Sequence, residues 1–119
     1  MSSAPTSAVS AVENPAYKQN LSVAIRTYRL VQVTSNEGLG PWFFAPHALY
    51  RATTGRLCVT GYELTQPRST MRDDGFLTLE LSRLAQVSMT SYRFSPHPNF
   101  SSSGRKYEGG MICAVDCSR

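Results

Sequence analysis

Leu77, Leu79 and Leu81 alternate with Phe76, Thr78, Glu80 and Ser82, and this period of two predicts a half-buried strand. Leu57 to Leu64 reads the same way. Leu57 and Val59 point to one side, Cys58, Thr60, Tyr62 and Leu64 to the other, and Gly61 in mid-strand predicts a bulge or sharp bend. Gln86 to Phe94 is a further strand with Val87, Met89 and Ser91 on one face. Ser22 to Gln32, rich in β-branched and aromatic residues and ending in the turn-prone Thr34–Gly38 stretch, is read as a strand, although its alternation is imperfect. Trp42 to Ala45 is a short apolar strand that continues extended from His47 to Arg51; Pro46 between them lacks a backbone donor and fits an edge or bend. Thr53-Thr54-Gly55 is a hairpin turn, residues 66–75 a polar loop, and Ser82 to Ala85 a short turn. No segment longer than two turns carries a helical period. Beyond Phe94 the chain is rich in Ser, Pro and Gly, and a last apolar run, Met111 to Val115, is placed to add a strand at an edge or to wrap the sheet. The expected fold is mostly β, a small five-stranded barrel or curled sheet over residues 21–95. A disordered Ser/Ala/Pro-rich leader over residues 1–20 precedes it, and a loop-rich C-terminal extension over 96–119 follows.

Composition adds limits. A chain of 119 residues is one domain, large enough to bury a core without staples. Twelve basic against eight acidic residues give a net charge of +4, and ten of the basic residues are Arg, whose planar fork suits phosphate or carboxylate. Three cysteines, Cys58, Cys113 and Cys117, with no basic and apolar signal at the start, argue for reduced thiols and a cytoplasmic location. No apolar run approaches the roughly 20 residues of a membrane span.

Three segments in order carry a resemblance: a tyrosine-containing stretch, Ile25 to Arg29; Pro46-His47-Ala48-Leu49; and, after a Gly55-Arg56 turn, the Leu79-Glu80-Leu81-Ser82-Arg83-Leu84 segment. This arrangement, over Ser22 to Phe94, resembles the WYL domain of bacterial transcriptional regulators. The family's naming Trp-Tyr-Leu triplet falls on Leu57-Cys58-Val59, so both aromatics are absent, and Thr60 stands where relatives carry a basic residue. The resemblance implies a five-stranded barrel of the SH3/Sm kind and a non-enzymatic sensing role in transcription regulation. The implied ligand is a nucleotide or single-stranded nucleic acid. Residues 1–20 cannot hold the winged helix that precedes the domain in such regulators, so the chain reads as a free-standing relative or a piece of a larger regulator.

The candidate ligand-binding residues are Arg83, Arg51, His47, Tyr50, Tyr62 and Arg56. Arginine donates two parallel hydrogen bonds to phosphate, while Tyr and His offer stacking faces for bases. Each has a structural alternative. Arg83 would pair with Glu80 or Glu63, His47 would cap the bend after Pro46, and the tyrosines would bury their rings at the core edge. Catalysis is not expected: there is no Gly-x-Ser-x-Gly elbow, and a Cys58–His47 dyad competes with Cys58 as a small buried hydrophobe. Cys113, Cys117 and His97 lack the two tight pairs of a zinc site, and no cofactor is expected. The competing reading is a protein-interaction or assembly module, a homodimer included, that uses Trp42-Phe43-Phe44 or an edge strand.

Overall fold

The computed structural model describes residues 14–101 and 107–115. It opens with a helix, α1 (Pro15–Thr27), where the sequence pattern predicted the end of a leader and the start of a strand. Its start is built from local chemistry: the side chain of Asn14 accepts the Ala16 N–H at 2.8 Å, and Pro15 occupies the first turn, where its missing N–H costs nothing. Leu21, Ala24 and Ile25, spaced three and four apart, are the fully buried stripe. The helix ends at Tyr28, which adopts the left-handed conformation (φ 59°) and closes the last turn with its N–H. Residues 1–13 of the expected leader lie outside the described residues.

Six strands follow: β1 (Arg29–Ser35), β2 (Trp42–Arg51), β3 (Leu57–Leu64), β4 (Phe76–Glu80), β5 (Leu84–Arg93) and β6 (Met111–Ala114). They form one antiparallel sheet in the order β4-β3-β2-β1-β5, with β6 paired to β2 beside that path. The mostly β expectation therefore holds, but the sheet is open among the described residues rather than a closed barrel. The two outermost strands, β4 and β5, are consecutive in sequence, joined only by a single 3-10 turn at Leu81–Arg83.

The stretch 42–51 is one strand, with Pro46 inside it. The register slips between Pro46 and Ala48, opposite Gly61 and Thr60, so the bulge expected at Gly61 lies in the strand facing it. A Cβ on Gly61 would stand 2.1 Å from the Ala45 carbonyl oxygen, so the backbones meet there because residue 61 has no side chain. β2 serves two partners on one side: Trp42 to Phe44 pair with β1, and Ala48 to Tyr50 pair with β6. Helix α1 packs across β1, β2, β5 and β6. Its Tyr17 hydroxyl donates to the Ala85 carbonyl and its Asn20 amide to that of Val87 at 3.5 Å, tying it to the β5 edge. No helix among the described residues is long and apolar enough to cross a membrane.

Candidate functional site

The six sequence-derived candidates fall in three places. His47 and Tyr62 lie in the core. The His47 ring is fully buried, with its Nδ1–H donating to the Ala45 carbonyl at 2.8 Å and its Nε2 accepting the His97 backbone N–H at 3.0 Å. Tyr62 stacks on the His97 ring at 4.3 Å between centroids and meets His47 edge-on at 5.0 Å. Burial lowers the His47 pKa to about 4; the Ala45 hydrogen bond opposes the shift and the neighbouring His97 adds to it. Both ring nitrogens are engaged, so His47 has no lone pair to offer a ligand or the Cys58 thiol, which is paired across the strand with Tyr50, three residues along β2.

Tyr50 is also buried, edge-on to Tyr107 at 4.7 Å, and burial raises its phenol pKa, offset in part by a hydrogen bond with Thr78. Thr60 is fully buried with its hydroxyl 3.3 Å from that of Tyr107. Arg51 donates from Nη1 to the Gly55 carbonyl at 2.8 Å and clamps the β2–β3 turn. Where ligand contacts were expected, the structure thus places His47, Tyr50 and Tyr62 in the core and Arg51 at a turn.

Arg83 and Arg56 do meet. The β3–β4 register sets Cys58 against Glu80, which brings Arg56, just before β3, and Arg83, in the 3-10 turn, to one carboxylate. Arg83 Nε lies 3.5 Å and Arg56 Nη1 3.4 Å from the same Glu80 oxygen, and both guanidinium groups are largely exposed. Ion pairs of this kind contribute about 0–1 kcal/mol. Arg83 has five N–H donors and uses Nε alone in this pair, leaving its outer fork to solvent.

That fork borders a cleft of about 380 Å³ between the β1–β2 turn and the β4–β5 corner, lined among others by Trp42, Thr78, Glu80, Glu37 and Asn36. Backbone bonds fix its two walls. Ser35 accepts the Glu37 and Leu39 N–H groups on its hydroxyl, ordering the turn, and the Asn36 N–H donates to the Arg83 carbonyl at 2.8 Å. Gly40, at φ 102°, passes so close that a Cβ there would come 2.6 Å from the Trp42 ring. The Trp42 indole N–H is buried and has no hydrogen-bond partner among the described residues. The cleft lining thus combines an indole ring, a guanidinium fork, two carboxylates, an amide and two hydroxyls. Such a mixture suits a planar, polar heterocycle better than a bare anion.

Sequence reasoning assigned Trp42 to the core and passed over Glu37, Asn36 and Thr78. The available signal was a Trp directly after Gly40-Pro41, at the mouth of a strand, where a large ring is only partly covered. Among the described residues no group of three His, Cys, Asp or Glu is placed to hold a metal; Cys117 lies outside them. No family model matches the chain, and neither the curated proteins nor the solved structures compared with it give a match.

Proposed function

We propose that the chain is a non-enzymatic, WYL-like sensing module linked to transcription regulation, which binds a nucleotide or a short single-stranded nucleic acid in the Trp42–Arg83 cleft. The observation that carries the proposal is that the Trp42 ring and Arg83, whose outer fork is open, line one cleft of about 380 Å³. Arg56, held at Glu80 beside Arg83, supplies a second fork for a phosphate on the same ligand. Kinship with SH3/Sm-like barrels draws support from the strand order, since edge strands joined by one 3-10 turn are the connectivity a curling sheet needs before its edges meet.

The test is a fluorescence titration of Trp42, the chain's single tryptophan, with mononucleotides and short single-stranded DNA and RNA at low and moderate salt. Saturable quenching that weakens as salt rises is expected, with Arg83→Ala costing about ten-fold in affinity while the fold persists. No quenching at low salt, where phosphate contacts are strongest, sinks the proposal.

The assembly reading retains one observation. The outer edge of β4 is unpaired among the described residues, whereas Phe44 is buried and Trp42 and Phe43 are half-buried, so no exposed aromatic patch is formed. Self-association through β4 would be insensitive to salt and would leave Trp42 fluorescence unchanged on nucleotide addition.

A further inference from the structure

At the other end of β1 from the cleft, about 20 Å away at ~3.4 Å per residue, the sheet sets Arg29 directly opposite Arg93. Residues directly opposite in an antiparallel pair project on the same face with Cβ atoms about 5 Å apart, and like charges so placed repel. The pairing is built in. Between Val31–Met89 and Arg29–Arg93 the register advances two residues on β1 and four on β5. Thr90 shapes the irregularity by donating its hydroxyl to the Leu30 carbonyl at 2.8 Å and accepting the Tyr92 N–H at 3.2 Å. Neither Arg29 nor Arg93 is in an ion pair among the described residues, and the Arg29 Nε is buried with no partner. A buried guanidinium donor without an acceptor is costly.

Arg93 also borders a second cleft of about 380 Å³, between the β3–β4 loop and the end of β5, with Arg68, Ser69, Thr70 and Ser95 around a floor of Leu64 and Phe94. Among the described residues no carboxylate lines it. Glu63 belongs to an adjoining cleft that shares Ser69 and Thr70, together with Arg72. Two arginines and three hydroxyls, with the partnerless Arg29 Nε on the strand opposite Arg93, lack one component, a compact oxyanion. We propose that Arg68 and Arg93, backed by Arg29, form a second binding site for a phosphate group, with Ser69, Thr70 and Ser95 donating hydroxyl hydrogen bonds to its oxygens. A tetrahedral dianion would accept from several forks at once and remove the Arg29–Arg93 repulsion. The site does not rest on the function proposed for the Trp42 cleft.

The experiment follows the arginine Nε–H resonances of the ¹⁵N-labelled full chain as inorganic phosphate is added at constant ionic strength, against chloride. A nucleoside 5′-monophosphate and its parent nucleoside are titrated alongside. The expected result is a saturable shift of the Arg29 and Arg93 signals with phosphate and with the monophosphate, and none with chloride or the nucleoside. Arg68→Ala and Arg93→Gln should each weaken phosphate binding at least ten-fold, while Arg83→Ala leaves it unchanged. In phosphate-free buffer Arg93→Gln should melt a few degrees higher than the parent, because it removes the repulsion. Should Arg68→Ala not fold, Arg68→Lys, which keeps the charge and loses the fork, should bind phosphate more weakly than the parent. An equal response to chloride, a response to the nucleoside, loss of binding in Arg83→Ala, or no response to phosphate overturns the proposal.

Discussion

His47 illustrates how a residue chosen for its chemistry is used for its shape. Its imidazole fills a fully buried position among aromatic rings; its Nε2 ties β2 to the loop carrying His97, while its Nδ1–H donates back to Ala45 of the same strand. The arrangement requires the neutral ring, because a proton on Nε2 would face the His97 N–H. An unfolded histidine takes up its proton near pH 6.5, whereas His47 in the fold does so only near pH 4. As pH falls through that window the unfolded state gains the proton first, so stability is present above pH 6.5 and lost on acidification. The loss should reach about 3 kcal/mol by pH 4. Urea midpoints from pH 7.5 to 4 measure it, and His47→Gln should flatten the profile; an equally steep profile in that variant would assign the proton to another group. Gly61 is the second constrained residue. Gly61→Ala pushes a methyl into the Ala45 backbone and should cost about 3 kcal/mol or more, read from the same midpoints.

Among the elements, α1 is where sequence pattern and fold part. Val23, Ile25, Tyr28 and Val31 weigh locally toward a strand, and the helix ends at a non-glycine left-handed residue that no turn signal marks. The evidence for a helix was present but divided. Asn14-Pro15 is a start signal inside a stretch that reads as a polar leader, and the Leu21, Ala24, Ile25 spacing crosses from that stretch into the apparent strand. β3 was legible to its bounds, Leu57–Leu64, and β4 nearly so, as apolar runs between turn signals, although β3 is buried on both faces. Asn14→Ala should lower stability by about 1 kcal/mol and Leu21→Ala by about 3 kcal/mol, in thermal or urea unfolding. If both are neutral, α1 is not docked on the sheet in solution. The helix also gives the β5 edge side-chain donors from Tyr17 and Asn20, a way of covering unpaired carbonyls that the period of a strand cannot reveal.

On the scale of the whole molecule, function is written in what the topology brings together. Arg83 and Arg56 stood out in the sequence as basic residues, yet only the Cys58–Glu80 register makes them neighbours. Arg29, Arg68 and Arg93 come from three separate stretches and carried no signal of their own. Long-range pairing also decides how the sheet is finished. A chain ending at Ser101 would lack β6 and leave the Ala48–Tyr50 side of β2 unpaired. Such a chain should melt lower than the full protein and self-associate with rising concentration, which light scattering would detect; a stable monomer would show β6 to be dispensable.

The same pairing acquires a meaning in time. β2 is made some sixty residues before its partner, and at about 5–20 residues per second the ribosome leaves that edge waiting roughly three to twelve seconds. For those seconds a nascent neighbour on the same message offers the same strands. Synthesis, more than any later stress, is when this protein is most open to a wrong partner, and a chaperone that holds the β2 edge until Met111 emerges would act at the step that matters.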